Sequence, residues 1–443
     1  MMTKMEPTLV FDQLRSGSIT MGNTQGHLQN PEFLSASRRF SRIELQELKK
    51  LWTSLAAQSR SNGQYVIASV FQVYYGIHGS LGARLFNLAT QLRKDQRLYY
   101  EDFIILKAKY DRGSPDEVEN ICFQLLDLNG DGHVQRDEVE AVMLSILETV
   151  IGPQDAILYA TLPDDSLQAF LNFSMKDDSE YGPTLSMDEF RHWCTVVPSV
   201  KKFLAGIFSS PGTAGTFGRQ VPTLSIPGNM PSMILLRKEY AWHIAGILQT
   251  QEAQDWVLLY HSSVNGFSFN TFLKNVGIAQ GCTILLVKDK HGYVYGGYAS
   301  QTWERSSNFY GDMKSFLFSL HPRAAIYKPS GLNNNLQWCA INYTSESIPN
   351  GIGFGGQINH WALFISSSFD QGQTQPSVTF NSPILSERSD FVPDIIECWG
   401  VVIKGQGAGS KGVSALEGTI LERFKEDRQI MNMVGMANAS DSI

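Results

Sequence analysis

One short stretch, DLNGDGHVQRDE at 127–138, places oxygen-bearing side chains at alternate positions of a single segment. It meets the pattern D-x-[DN]-x-[DN]-G-x5-E at every specified position. Ca2+ prefers about six to eight hard oxygen ligands, and this spacing supplies them from one tight loop. Gly132 stands where the chain must turn sharply, a conformation that is costly for a residue with a Cβ. The predicted ligands are Asp127, Asn129, Asp131, the backbone carbonyl of His133, Gln135 directly or through water, and Glu138 as a bidentate carboxylate.

The residues on both sides of this stretch are typical of helices. SPDEVENICFQLL (114–126) has Pro115 at its start and acids in its first turn. DEVEAVMLSIL (137–147) continues after the loop with apolar residues at helical spacing. We therefore predict a helix–loop–helix unit of the EF-hand type that binds Ca2+, with an unliganded acidic surface turn as the alternative.

Three further segments keep parts of the same frame, which predicts four helix–loop–helix units with one competent loop. They are QSRSNGQYVIAS (58–69), QLRKDQRLYYED (91–102) and DSEYGPTLSMDE (178–189). Each has lost a feature that the ion needs: Ser69 ends the first, Arg93 occupies a ligand place of the second, and Pro183 stands at the turn of the third. We expect these loops to act as a pairing scaffold, and the intact loop to bind with the affinity of a sensor, about 10⁻⁷–10⁻⁵ M.

The composition changes along the chain from helical periodicity to strand-like segments, with stretches rich in Pro, Gly and Ser between them. The tail after residue 414 returns to helical spacing. The predicted divisions are a flexible N-terminal segment 1–36, an EF-hand-like helical domain 37–205, a linker 206–232, a strand-rich domain 233–404, and a linker with a C-terminal helix 405–443.

The bulk composition narrows the class of protein. The 443 residues carry a net charge of −7, so the chain lacks the basic excess of a nucleic-acid binder. Its best apolar run, CTILLV at 282–287, is far shorter than a membrane span, and the first 20 residues lack the features of a signal peptide. Five scattered cysteines fit a reducing compartment. These features predict a cytoplasmic protein without a transmembrane segment.

Six segments of the second half carry a resemblance to a known family. They are YGGYASQTW (295–303), SFLFSL (315–320), NYTSESIPNGIGFGGQ (342–357), LFISSSF (363–369), TFNSPILS (379–386) and ECWG (397–400). Residues 233–404 resemble the TLDc domain, and with the helical part the chain resembles EF-hand-containing TLDc proteins, above all plant-type members beginning MGNTQ. The resemblance implies a multidomain α + β fold, in which an all-α EF-hand module precedes an antiparallel TLDc β-sandwich with peripheral helices and a C-terminal amphipathic helix.

The same resemblance implies a function. TLDc proteins are associated with oxidation resistance and with binding to the vacuolar-type proton ATPase, and the family brings no established catalytic residues. The expected role is therefore that of a non-catalytic, calcium-binding adaptor or regulator of this ATPase. Its expected location is the cytoplasm and the periphery of vacuolar, lysosomal or endosomal membranes.

Two other patterns in the strand-rich half suggest chemistry but have simpler explanations. Gly351, Gly353 and Gly356 satisfy the dinucleotide-binding spacing G-x-G-x-x-G, yet an apolar strand follows them where that site needs a helix. We expect these glycines to permit close packing or a tight turn. Cys339 and His360 are a conceivable nucleophile and base, but the sequence supplies no orienting third group, and a buried inert cysteine is the preferred interpretation.

The two ends of the chain carry further candidates. If translation starts at Met21, Gly22 becomes a myristoylation candidate, although Gly26 stands where Ser or Thr is favoured. Near the C-terminus an apolar stripe predicts a helix that packs on the protein itself or docks into a partner's groove. The stripe residues are Leu416, Ile420, Phe424, Ile430, Met431 and Val434.

Three functions stay open at this point. The first is the calcium-responsive adaptor of the vacuolar-type ATPase. The second is a calcium-sensing interaction module for signalling or trafficking. The third is a thiol-based antioxidant enzyme that relies on a reactive cysteine.

Overall fold

The computed structural model describes residues 30–59, 61–91, 93–152, 164–178, 182–208, 218–227, 234–277 and 281–403. Gly22 and the apolar stripe from Leu416 to Val434 lie outside these ranges, so the lipidation and C-terminal helix predictions fall outside the described residues. None of the helices within the ranges has the length and apolar content that crossing a bilayer requires.

Helices make up the first half of the described chain. Several begin at a serine that caps the helix while a glutamate three residues later reaches back to the serine's N–H, as at Ser114 and Glu117. The helices are α1 Pro31–Ser37, α2 Arg42–Gln58, α3 Ala68–Tyr75, α4 Gly79–Thr90, α5 Tyr100–Asp111, α6 Pro115–Gln124, α7 Arg136–Ile151, α8 Asp164–Phe170, α9 Met187–Val196 and α10 Pro198–Ala205.

Helices α2 to α9 form four helix–loop–helix units, which are joined in pairs through their loops. A short antiparallel bridge joins Val66 of the first loop to Leu98 of the second, and another joins Val134 of the third to Leu185 of the fourth. Leu98, Val134 and Leu185 are the eighth residues of their predicted loops, whereas Val66 is the ninth of 58–69. The fourth loop also holds a small hairpin of strands β1 Lys176–Asp178 and β2 Gly182–Thr184.

Part of the segment predicted as a linker has regular structure. Strand β3, Thr223–Ser225, joins the edge of a sheet by pairing in parallel with β4. Just before it, the Arg219 guanidinium donates from Nη1 to the carbonyl of Tyr75 at 2.6 Å and from Nη2 to that of Ile207 at 3.1 Å. The chain from 218 to 227 therefore attaches the helical half to the strand-rich half.

The second half contains two sheets. Seven strands pair in the order β3-β4-β14-β5-β6-β7-β8, and five pair in the order β13-β12-β11-β10-β9. In these two sheets all pairs are antiparallel except β3 with β4, and β3 lies before the predicted domain 233–404, in the segment predicted as a linker. The elements are α11 Lys238–Ala245, β4 Asp255–His261, α12 Ser262–Asn265, α13 Phe269–Val276, β5 Thr283–Asp289, β6 Val294–Ala299, β7 Phe316–His321, β8 Ala325–Tyr327, β9 Gln337–Ala340, β10 Gly351–Gln357, β11 His360–Ser366, β12 Gly372–Gln373, β13 Asp390–Phe391 and β14 Pro393–Val402.

One apolar core lies between the two sheets and is shared by residues of both. The Trp303 ring packs edge-on against Phe354 of β10 at a centroid distance of 5.4 Å. Gly297 on β6 lies so close to the Phe354 ring that a Cβ there would stand 2.7 Å from that ring. Helical modules and a strand-rich second half are thus both present, and the predicted mixed α and β class is confirmed.

The glycines of the apparent dinucleotide motif lie in strand β10, which forms an antiparallel hairpin with β11. A Cβ on Gly353 would stand 2.6 Å from the Leu363 carbonyl oxygen, and one on Gly356 would stand 2.0 Å from that of His360. Gly356 also has a positive φ of 79°. The motif therefore serves close strand packing, as the sequence predicts, because the helix that would follow a pyrophosphate loop is replaced by a strand.

The helical and strand-rich halves pack against each other through α11. The exit helix α7 and the helix α10 both contact it. Gly246, which follows α11, approaches Ser199 so closely that a Cβ would stand 2.7 Å from the serine Cα. The interface also buries His243, whose Nδ1 lies 3.3 Å from Ser199 Oγ, and burial lowers the pKa of His243 to about 3.

Candidate metal centre

The predicted calcium loop connects α6 to α7 in the third helix–loop–helix unit. Its first ligand, Asp127, is 7% exposed and turns its carboxylate towards the loop's own backbone. Oδ1 accepts the N–H of Gly130 at 2.7 Å, and Oδ2 accepts that of Gly132 at 3.2 Å. Gly132 has a φ of 88°, which is the left-handed conformation that its place in the motif predicts.

The last ligand, Glu138, holds both halves of the loop together. Its Oε2 accepts the N–H of Gln135 at 2.9 Å, and its Oε1 reaches across the loop to the N–H of Asn129 at 3.1 Å. Glu138 is 7% exposed although it lies in the first turn of α7. The twelfth residue of the loop is therefore directed at the third, as a closing ligand must be.

The central ligands are ordered by short local hydrogen bonds. Asn129 Oδ1 accepts the N–H of Asp131 at 2.8 Å, and Asp131 Oδ1 accepts that of His133 at 2.8 Å. The two side chains also meet directly, because Asn129 Nδ2 donates to Asp131 Oδ2 at 2.9 Å. Both are exposed, whereas His133 and Gln135 are half-buried.

The chemistry of this loop fits a hard cation, because its ligands are carboxylate, amide and carbonyl oxygens. Hydrogen bonds join Asn129 to both Asp131 and Glu138, while Asp127 accepts separately from the N–H groups of Gly130 and Gly132. Across the described ranges, no three His, Cys, Asp or Glu side chains are grouped closely enough to hold a metal ion. An ion would therefore draw on the amide of Asn129 and the carbonyl of His133, and would bring the three acids closer together.

A basic side chain from another unit contacts the loop, and the motif spacing gives no sign of it. Arg84 on α4 donates from Nη2 to Asp127 Oδ2 at 3.4 Å and from Nε to the Gln124 carbonyl at 3.0 Å. The side chains of the pair are 12% and 10% exposed. Arg84 lies 43 residues before Asp127, so only tertiary packing brings the two together.

In the second loop a guanidinium bridges two places of the predicted frame. Arg93 donates from Nε to Asp102 Oδ2 at 2.9 Å and from Nη2 to Oδ1 at 3.3 Å, and thus joins the third place of the loop to the twelfth. Gln96, at the sixth place, has a φ of 51°. The loop therefore keeps the shape of a calcium loop with an internal cation.

The candidate thiol centre is not assembled. Cys339 is buried on β9, and its neighbours across the sheet are Ile352 and then Ile365. His360 lies five residues from Ile365 along β11, which is roughly 17 Å of strand, and it is exposed. Burial raises the pKa of both Cys339 and Cys122 to about 12, so neither thiol ionises near neutral pH. All five cysteines are free of disulfides.

Comparison with known proteins identifies one part of the chain. Residues 230–402 match the family described as the TLDc domain, which confirms the predicted domain. The likeness to plant-type members and the EF-hand assignment stay predictions.

Several vertebrate proteins are similar over part of their length. The MTOR-associated protein MEAK7 of Mus musculus is 32% identical over 207 residues, which are 45% of this chain and 43% of that protein. The protein of the same name from Gallus gallus is 31% identical over 236 residues, 53% of this chain and 46% of its own length. Nuclear receptor coactivator 7 of Homo sapiens is 27% identical over 175 residues, 39% of this chain and 18% of that protein. The similar region thus spans less than half of each relative.

Proposed function

We propose that this protein is a non-catalytic, calcium-binding adaptor that binds the vacuolar-type proton ATPase through its TLDc domain and is linked to oxidative-stress resistance. The observation that carries the proposal is the direct connection between the loop 127–138 and the TLDc domain. Helix α7 carries the last predicted ligand of the loop, Glu138, in its first turn and contacts α11 of the domain. The protein would act in the cytoplasm and at the periphery of vacuolar, lysosomal or endosomal membranes.

Calcium would be held by Asp127, Asn129, Asp131, the His133 carbonyl, Gln135 and Glu138. When bound, the ion supplies a divalent positive charge that draws these oxygens together. In the structure the two buried acids, Asp127 and Glu138, accept hydrogen bonds from backbone N–H groups at both ends of the loop. A closer approach of these groups would shift the start of α7 relative to α6.

Contacts between the fourth helix–loop–helix unit and the TLDc domain would transmit such a shift. The fourth unit, which pairs with the calcium loop through Val134 and Leu185, also touches that domain. The N–H of Ala324, between β7 and β8, donates to the carbonyl of Ala169 at the end of α8 at 2.9 Å. Ser166 Oγ donates to the buried Glu239 of α11 at 3.2 Å. These contacts support the proposal that calcium alters how the TLDc domain is held.

The adaptor role draws on the relatives, and the identity of the partner draws on the resemblance to TLDc proteins. The names of the vertebrate relatives describe an MTOR-associated protein and a coactivator, which are roles in binding other proteins.

The experiment is a pull-down of the tagged full chain with detergent-solubilised vacuolar or lysosomal membranes, once with Ca2+ and once with a chelator. We expect ATPase subunits in the bound fraction, in an amount that differs between the two conditions. Glu138→Gln should abolish the difference, and Glu140→Gln, the same change outside the ligand places, should preserve it. Absence of the ATPase under both conditions contradicts the choice of partner, and equal recovery contradicts the calcium response.

A second candidate is a calcium-sensing module for signalling or trafficking, which the name of the MTOR-associated relatives favours. In the same pull-down it predicts calcium-dependent recovery of signalling proteins without ATPase subunits. A thiol-based antioxidant enzyme is disfavoured because burial raises the pKa of each cysteine thiol. If replacing all five cysteines abolishes protection from peroxide in a folded protein, the thiol mechanism is correct after all.

A further inference from the structure

The basic side chain beside the calcium loop belongs to a different helix–loop–helix unit. Arg84 lies on α4, which packs closely on the exit helix α7 of the loop. At the start of α4, a Cβ on Gly79 would stand 2.7 Å from Ser145 Oγ, and the Leu81 N–H lies 3.4 Å from that oxygen. The position of Arg84 is thus determined by tight backbone packing, not by the loop itself.

The guanidinium is held at two points. Nε donates to the carbonyl of Gln124, the last residue of α6, and Nη2 donates to Asp127 Oδ2. A Cβ on Gly130 would lie 3.1 Å from Arg84 Nη1, so the group also lies against the loop backbone. These contacts place a permanent positive charge on the first ligand of the predicted calcium site.

A fixed positive charge at this position has two opposing effects on the loop. It stabilises the nearly buried Asp127 carboxylate when no ion is bound, because an unpaired buried carboxylate is costly. It also repels a divalent cation that shares the same carboxylate, and with both groups about nine-tenths buried water screens this repulsion poorly. The first effect favours the ion-free loop and the second disfavours the bound loop, so both lower the affinity.

We propose that Arg84 sets the calcium affinity of the loop 127–138, lowering it by competing with Ca2+ for Asp127. This inference rests on the proposed calcium site and names a regulator of it. The second helix–loop–helix unit, which carries Arg84, thereby controls the calcium affinity of the third unit. The loop of the second unit itself holds a guanidinium and needs no ion. The affinity of the site then depends on how α4 is packed on α7.

The test is the calcium affinity of the full chain by titration calorimetry, for the unaltered protein and for Arg84→Gln. We expect Arg84→Gln to lower the dissociation constant about tenfold, a change of about 1.4 kcal/mol. The melting temperature in chelator should fall at the same time, because Asp127 loses its partner. A purely structural arginine would lower both stability and affinity when removed, so opposite changes distinguish the two roles.

Two matched variants complete the design. Arg84→Lys keeps the positive charge that repels the ion, so it should change the dissociation constant less than about threefold. Arg136→Gln removes an arginine that lies within the loop but donates to Gln168 at 3.1 Å, and it should also have little effect. If folded Arg84→Gln binds calcium with unchanged or weaker affinity, this inference is wrong while the proposed calcium site stands. Tighter calcium binding by Arg84→Lys has the same consequence. Absence of calcium binding by the unaltered chain overturns the proposed calcium site together with it.

Discussion

The second and third loops share one twelve-residue frame but compensate the negative charge of the closing acid in different ways. In the second, Arg93 bridges to Asp102 inside the loop, so the charge of the closing acid is neutralised by a covalent part of the chain. In the third, the carboxylate of the closing acid Glu138 accepts from the backbone N–H groups of Asn129 and Gln135, and the neighbouring arginine contacts Asp127 from outside the loop. The difference lies in where the guanidinium stands: inside the second loop it occupies the space between the third and twelfth residues, whereas at the border of the third loop it leaves that space to the predicted ion.

The largest effect should follow from removing the closing carboxylate of the third loop. Glu138→Gln keeps a single acceptor oxygen and loses the charge, so we expect calcium binding to weaken at least about 100-fold, or about 2.7 kcal/mol. Titration calorimetry measures this directly. Glu140→Gln is the matched control, and if both variants bind as tightly as the unaltered chain, the loop is an acidic turn and the contrast between the two loops disappears.

A smaller effect is expected from breaking the internal pair of the second loop. Arg93→Ala leaves the Asp102 side chain, which is 4% exposed, without its forked partner. Because the arginine itself is about one-third exposed, we expect a loss of about 2 kcal/mol in the free energy of unfolding, between the values for surface and buried pairs.

Urea unfolding with and without Ca2+ measures that loss, which should be independent of the ion. The double variant Arg93→Ala with Asp102→Ala should be more stable than the sum of the single changes predicts, because no charge is then left unpaired. A loss that calcium restores would show that the second loop still binds ions, contrary to the comparison.

The smallest effect concerns the turn that both loops share. Gln96 has a φ of 51°, in the region that favours glycine, whereas the third loop has Gly132 at the same place with a φ of 88°. Gln96→Gly should therefore stabilise the protein by about 0.5–1 kcal/mol after the entropy cost of glycine in the unfolded chain.

The reciprocal change, Gly132→Ala, should destabilise by about 1 kcal/mol. No atom lies within 4 Å of the added Cβ, so the whole effect is conformational. Urea unfolding in chelator measures both, and equal stabilities of all three proteins would mean that the two turns do not differ in strain.

Much of the candidate site was readable from local spacing. The positions of Asp127, Gly132 and Glu138 in the loop, the helices on both sides, and the pairing residues Leu98 and Leu185 all depend on contacts a few residues apart. The register of the first loop could not be predicted. The bridge forms at Val66, the ninth residue of 58–69, and this pairing depends on the second loop and not on the twelve-residue spacing. The parallel strand β3 was missed for the same reason, since a short segment joins a sheet edge that the sequence does not show.

By itself the sequence predicted the ligand set of one calcium loop and the loss of ligands in three others, and it carried the resemblance to the TLDc domain that residues 230–402 match. The loop predictions follow from residue types at fixed spacings, which act over a few residues of chain, whereas the domain is identified by its resemblance to a family. Only the tertiary structure decided that Arg84 lies on Asp127, that α7 meets α11, and that Cys339 and His360 stay apart. Each of these depends on how helices and strands pack. Packing brings together residues that are far apart along the chain, and no sequence pattern links them.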